Sequence, residues 1–352
     1  FYIKFYKNML KNCENCGGKL YFSPKDKANV CESCGSLFPI EYNYQFTKKT
    51  FDEHQISTED DALANSMSSI KCKSCGANVL LSKYQMQTTC PYCGNSSIVK
   101  SKAKNMLYID SLIPFNFSKT EALSKFKSTV RKRFYANKKI FKNINENAIN
   151  GIYVNAFVFD IETSSSYRGV FSYTRTVKDR DGNSHTETFY KNVSGFFDKA
   201  YKNITIEANS HLDQSDLGSI MPFQYGSAVE FKQDFMHGYM LEYQDRMFND
   251  CVKMAEKIIN RDIEQRLLEK HGCTKIERLS LHTDYPDKRY NYCLLPVYFV
   301  NSEVKGKKYN VLMNGQTGKV GKIPKDKWRV FFTILLIAVL FVGAILLVMY
   351  LF

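Results

Sequence analysis

The sequence predicts an α+β protein with two N-terminal four-cysteine zinc ribbons, a mixed strand-rich middle domain and one C-terminal transmembrane helix. Three observations carry that prediction. The motif Cys-x-x-Cys-Gly occurs four times before residue 95. Strand-like and helix-like text alternates across 105–325. The final stretch, 330–352, contains neither a charge nor a proline. These features place a first ribbon at 9–40, a flexible linker at 41–68, a second ribbon at 69–100, an α+β cytoplasmic domain at 105–325 and the membrane helix at 330–352. The chain opens with Phe1, so Met9 is the expected natural start and residues 1–8 carry no argument.

Eight of the eleven cysteines fall in the four Cys-x-x-Cys pairs, and no cleavable N-terminal signal is visible. Metal in a reducing compartment is therefore favoured over two disulfides per unit. Two residues between paired cysteines let one tight turn aim both sulfurs at a single ion, and a following glycine relieves that turn. Cys13, Cys16, Cys31 and Cys34 carry Gly17 and Gly35; Cys72, Cys75, Cys90 and Cys93 carry Gly76 and Gly94. Both units leave a 14-residue gap holding one strand-like run, "KLYF" and then "NVLL". Each unit should hold one Zn2+ ion. Four thiolates leave no open position for a reactive water, so both ions should be structural. Each loaded site carries a formal charge of about minus two, which lowers the chain from +14 to about +10.

Tyr21, Lys25, Lys27, Lys83 and Tyr84 could touch nucleic acid, but they lack the dense basic and aromatic interleaving of a strong binder. Protein contact or plain structural use is the preferred reading of the ribbons. Between them, "STEDDALANS" has no stable period and reads as part of a coil separating the two units by roughly 30 Å.

In the middle domain, Ser118 to Glu121 forms a capping box that opens a helix with Leu123, Phe126, Val130 and Phe134 on one stripe. Across 100–142 there are twelve Lys or Arg against Asp110 and Glu121. A solvated face is the plain reading; anionic lipid comes next and nucleic acid third. "GIYVNAFVFDIET" reads as a strand, and the residues around Asp181-Gly182 read as a hairpin. "DRDGN" lacks the closing Glu and spacing of a calcium loop and reads as that hairpin's turn. Residues 244–271 read as a helix on Met247, Cys251, Met254 and Ile258, stopped by Gly272. Cys251, Cys273 and Cys293 are expected in or near the core. "YCLLPVYFV" and "KKYNVLMN" should pair as a hairpin leading toward the anchor. "NGQTGK" lacks both the first glycine and the magnesium hydroxyl of a phosphate loop, so it is read as a turn and no nucleotide is expected. No catalytic motif is present, and the chain is not expected to be an enzyme.

The 23 apolar residues at the end give about 35 Å of helix, against a hydrocarbon core of about 30 Å. Before them, 301–329 holds eight Lys or Arg against Glu303 and Asp326. Positive residues stay cytoplasmic, which predicts a single-pass protein of the cell membrane with its N-terminal bulk in the cytoplasm. Trp328 stands at the expected interface, and Lys322, Lys325, Lys327 and Arg329 are the expected contacts with anionic lipid. On that side of the membrane the Asn-x-Ser/Thr matches at Asn192 and Asn203 have no glycosylation meaning.

"TTCPYCG" (Thr88 to Gly94), "PFNFSKTEA" (Pro114 to Ala122), "LLPVY" (Leu294 to Tyr298) and "NGQTGK" (Asn314 to Lys319), followed by a membrane helix, resemble the zinc-ribbon membrane proteins of Firmicutes. Those proteins go under the label of TFIIB-type zinc ribbon proteins or, by a match limited to the ribbons, of primosomal helicases. A helicase is excluded here by the missing ATP-binding loop. The resemblance implies an adaptor in envelope stress, working beside phage-shock-type and flotillin-like (SPFH) partners. Two departures stand out: "GIYVNAF" replaces the family's GxYVPFW, and Met221 to Tyr225 reads "MPFQY" where the family has EPFDY. Met221 and Gln224 replace two carboxylates, so the resemblance carries no acid-base role there. The expected function is a membrane-anchored zinc-ribbon adaptor or scaffold that docks cytoplasmic partners, such as a membrane oligomer, at the inner membrane face. The alternative is a membrane-tethered zinc-ribbon protein that binds nucleic acid.

Overall fold

The structure, a computed structural model, describes residues 12–44, 46–51, 67–82, 89–102, 107–179 and 183–351. Met9, all of "STEDDALANS" with the residues 52–56 before it, Lys83, Tyr84 and the Asp181-Gly182 turn lie outside the described residues. The fold is α+β and rich in strands, with two four-cysteine clusters toward the N-terminus and one apolar helix at the C-terminal end.

Strands β1 (Leu20–Ser23), β2 (Ala28–Cys31) and β3 (Leu37–Pro39) form a small antiparallel sheet, the first ribbon. The rest of the strands join one large sheet. Its centre is β9 (Ile149–Lys178) beside β14 (Lys288–Val304), paired antiparallel with Phe157 opposite Tyr292. β8 (Ser111–Leu112) and β11 (Val229–Glu230) extend the β14 side, and β15 (Lys307–Asn314) closes the expected hairpin with β14. On the other side, β12 (Met240–Glu242) runs parallel to β9 and hands the sheet on to β6 (Asn78–Ser82), β5 (Met67–Cys72) and β7 (Ile98–Lys102).

The centre is buried on both faces, which is why β9 and β14 read as almost unbroken apolar text. Alternate residues point to opposite cores. Tyr153, Phe157 and Phe159 enter one; Ile152, Val154, Ala156 and Val158 enter the other. The first core is covered by helix α1 (Lys119–Lys132) and by helix α3 (Phe248–His271). The short helix α2 (Gln214–Ile220) covers the second. Beyond Ile161, β9 continues as an arm between β10 (Ser184–Glu207) and β13 (Lys275–Asp284), where burial alternates residue by residue.

The capping box at Ser118 and Glu121 is present, with the Ser118 amide 2.7 Å from the Glu121 carboxylate. α1 stops at Lys132, two residues short of the end of its stripe, so Phe134 is 63 % exposed rather than buried. α3 ends at Gly272, whose φ of +64° is the left-handed cap that glycine tolerates. Its buried stripe is Cys251, Ala255, Ile259, Ile263 and Leu267. Of the four residues named from sequence, Cys251 is on that stripe, whereas Met247 is 73 % exposed at the helix start. Cys251, Cys273 and Cys293 are buried.

The reading of 41–68 as a free coil is corrected where it can be seen. Lys49–Thr50 forms β4 on the edge of β14, and Phe51 packs edge-on against Phe248 at 5.1 Å and Tyr290 at 5.9 Å. Phe46 stacks on Tyr225 at 5.0 Å. Burying such aromatics contributes about 2 kcal/mol each, enough to hold a short segment down.

Candidate metal centres

Each cysteine pair sits on a turn closed by a backbone bond from the glycine to the first cysteine's carbonyl oxygen. Gly17 and Gly35 make it at 2.8 and 3.0 Å, Gly76 and Gly94 at 3.0 and 2.8 Å. All four glycines have positive φ, which is the reason for their place in the motif. The turns bring the eight sulfurs into two groups, in each of which every sulfur lies within 4.8 Å of the others. Cys13–Cys34 and Cys16–Cys31 are 3.5 and 3.4 Å apart, Cys72–Cys93 and Cys75–Cys90 3.8 and 3.6 Å. A disulfide needs about 2.05 Å. Four sulfurs about 2.3 Å from one ion define a tetrahedron with edges of about 3.8 Å, so both groups fit a small thiophilic cation. Either group could hold a metal ion.

The thiols within each group differ in how readily they ionise. The Ser36 hydroxyl, 3.0 Å from the Cys34 sulfur, and the Ser36 backbone hold Cys34 down at about 6. The Gly18 N–H also acts to lower Cys16, but the hydrogen bonds of Cys16 to the Cys34 and Cys31 sulfurs outweigh it and push that thiol up to about 12. In the second group burial pushes Cys75 up to about 11 and Cys90 higher still. Burial acts upward on Cys72 too, yet the N–H groups of Cys75 and Ser74 outweigh it and hold that thiol at about 7. Each group thus mixes thiols that ionise readily with thiols held toward the protonated form, and a bound cation would favour the thiolate of all four.

The surroundings of the two groups differ. In the first, Cys16 and Cys34 are exposed, and the ribbon touches the body through its hairpin instead. Phe22 packs edge-on against Phe235 at 5.1 Å, its N–H donates to the His237 carbonyl oxygen at 2.9 Å, and the Asn29 amide reaches Asp234 at 3.5 Å. In the second, β6 is built into the large sheet through Leu80 opposite Leu241, and the knuckle at Cys90 faces inward. Tyr92, between Cys90 and Cys93, is buried against Phe299 at 4.7 Å and His211 at 4.8 Å. Asn301 donates to the Pro91 carbonyl oxygen at 2.7 Å.

Beneath that knuckle the Tyr92 hydroxyl donates to Glu242. Glu242 and Glu207 are both fully buried. Burial and then the Glu242 charge push Glu207 up to about 12; burial raises Glu242 to about 7, with Tyr92 working against that rise. The pair is a proton-holding acid cluster under the second metal group. Sequence reading missed it, because both glutamates lie in short or strongly strand-like text. The one available signal was the tyrosine inside "TTCPYCG", a position that points into the body.

The residues expected to meet anionic lipid cluster around the start of helix α4 (Lys327–Leu351). Lys322 is engaged with Asp216 at 2.9 Å, Lys325 lies over the Tyr135 ring at 5.9 Å, and Arg329 reaches Asp326 at 3.5 Å. Lys327 is exposed in the first turn. α4 is long and apolar enough to cross a membrane, and its described side chains are exposed or partly so. "NGQTGK" forms a turn. Asn314 accepts from the N–H groups of Gln316 and Thr317 at 2.8 and 2.9 Å, and its amide donates to the Ile220 carbonyl oxygen at 3.0 Å. Gln316 accepts from the Gln224 N–H at 2.8 Å, so this turn and "MPFQY" are two halves of one packed joint.

Over 326 residues the chain is 25 % identical to an uncharacterized protein, YdjG, of Bacillus subtilis strain 168, covering 90 % of this chain and 91 % of that one. No protein-family profile matches the chain, and no solved structure matches it.

Proposed function

We propose that this chain is a zinc-stabilised adaptor, held to the inner face of the cell membrane by α4, which binds partner proteins through its first ribbon and does no chemistry of its own. The observation that carries this reading is the unequal seating of two like metal groups. The second is set into the body by its Cys90–Tyr92 knuckle, with Cys75 and Cys93 half-buried, and acts as a structural rivet. The first is docked by Phe22 on one side and leaves its metal end open, beside Leu37 at 56 % exposed. Zinc is the assigned ion because four thiolates in a tetrahedron suit it and leave no open catalytic position. The cytoplasmic orientation rests on the lysines and arginine before α4 and on thiols that must stay reduced.

Both ribbons are seated on one body, so avidity for a repetitive partner would come from several chains in one membrane rather than from two loose heads on one chain. A membrane oligomer of SPFH or phage-shock type is the partner class implied by the family resemblance. The test is co-purification from membranes with the full chain and with Leu37→Asp, both checked for two zinc ions. Loss of specific membrane proteins on substitution supports the adaptor. An unchanged set of proteins, or steeply salt-dependent binding to nucleic acid that Leu37→Asp leaves intact, would sink it.

A further inference from the structure

The covalent chain fixes the position of anything tied to residues 324–326, because α4 starts at Lys327. The loop that follows α1 is tied there. The Asp326 N–H donates to the Tyr135 carbonyl oxygen at 2.8 Å, and the Asn137 N–H to that of Pro324 at 2.9 Å. Ala136 and Lys325 form an antiparallel bridge. The Arg133 guanidinium clasps the carbonyl oxygens of Val320 and Gly321 at 2.8 Å each. Behind the loop, Ile140, Phe141 and Ile144 are buried in the first core, so it is held from both sides.

That rigid loop presents one large apolar side chain outward. Phe134 is mostly exposed, edge-on to Tyr135 at 5.5 Å. Residues 131–142 contain six Lys or Arg and no acid. Arg131, Lys132, Lys138, Lys139 and Lys142 make no ion pair among the described residues. The sole acid in 319–329, Asp326, already faces Arg329. An aromatic wedge set among lysines and fixed within a few residues of a membrane helix matches the apolar-over-anionic layering of a leaflet surface.

We infer that the loop 133–142 is a second membrane contact, which inserts Phe134 among the headgroups of an anionic leaflet with Lys138, Lys139 and Lys142 against the lipid phosphates. This rests on the membrane anchoring proposed above. It adds that the body is clamped at a fixed tilt rather than swinging on its helix.

The test uses the full chain in vesicles of equal parts phosphatidylglycerol and phosphatidylcholine, with lipids brominated near the headgroup. Trp328 is the sole tryptophan, so its quenching in the unsubstituted chain reads the anchor alone. The double variant Phe134→Trp with Trp328→Phe moves the indole to the loop. The loop indole should be quenched in the anionic vesicles and lose about half of that quenching or more in pure phosphatidylcholine, or when Lys138, Lys139 and Lys142 are all changed to Glu. Amide exchange across 133–142 in the unsubstituted chain should also slow in anionic relative to neutral nanodiscs. Quenching of Trp328 without quenching at position 134, or exchange indifferent to lipid charge, would overturn the inference and leave the anchor standing. An unquenched Trp328 would instead overturn the anchor itself.

Discussion

The two ribbons share spacing, glycines and sulfur geometry, yet one exposes two of its cysteines, Cys16 and Cys34, while the other has its counterparts, Cys75 and Cys93, half-buried and one knuckle turned into the body. The local motif sets how four sulfurs meet; the residues between and beside them set what the metal supports. In the second ribbon those residues are Leu80 in the large sheet and Tyr92 in its core. In the first, the main anchor is Phe22, at the hairpin and away from the sulfurs. The same device is therefore a rivet in one place and a presenting surface in the other.

Removing one ligand from each group should separate the two ribbons most widely. Cys90→Ser should cost one metal ion and destabilise the whole chain by about 4 kcal/mol, because the knuckle it closes is core. Cys34→Ser should cost one ion and leave the body's thermal transition nearly in place. Metal analysis with thermal unfolding decides; equal shifts for the two would erase the distinction. Next in size, Phe22→Ala should loosen the first ribbon at a cost of about 3 kcal/mol while both ions stay bound, read by hydrogen exchange across 20–31.

The acid pair beneath the second ribbon adds a dependence on pH. Glu242 is raised to about 7 in the folded chain from an ordinary 4.5, so the folded state holds its proton longer than the unfolded state. Its contribution is fully present below about 4.5 and is lost as pH rises through about 7. Glu207 is held higher still, so at pH 8 the folded chain must keep a proton there that the unfolded chain releases; Glu207→Gln needs no such proton and should raise stability by about 2 kcal/mol at pH 8 and by little at pH 5. Denaturant titrations at the two pH values give the answer, and equal gains at both would contradict it. Smallest of all, Leu37→Asp should change stability by less than about 0.5 kcal/mol, since the side chain is on the open side of the first ribbon.

Much of this was legible in the text of the chain. Cysteine spacing marked both sulfur groups, Ser118 and Glu121 the start of α1, Gly272 the end of α3, and the uncharged run the final helix. What failed to show were contacts between distant segments. β12 is three residues long, too short for any period, yet it joins the second ribbon to the sheet. Lys49–Thr50 offers two ladder positions and depends on Phe51 beside it, so a segment without pattern looked like a tether. Phe134 continues the apolar stripe of α1 by spacing, but the chain turns extended at Arg133 and sends it outward. Glu207 and Glu242 were hidden because a buried carboxyl in a strand breaks the very alternation used to find strands.

The unequal seating of the two metal groups is tested most directly by timed alkylation of the zinc-loaded chain under a chelator, with each cysteine followed by mass spectrometry. Two phases are expected: Cys16 and Cys34 are modified early with release of one ion, and Cys72, Cys75, Cys90 and Cys93 only as the body unfolds. Release of both ions in one phase, with Cys75 and Cys93 modified as early as Cys16, would contradict it.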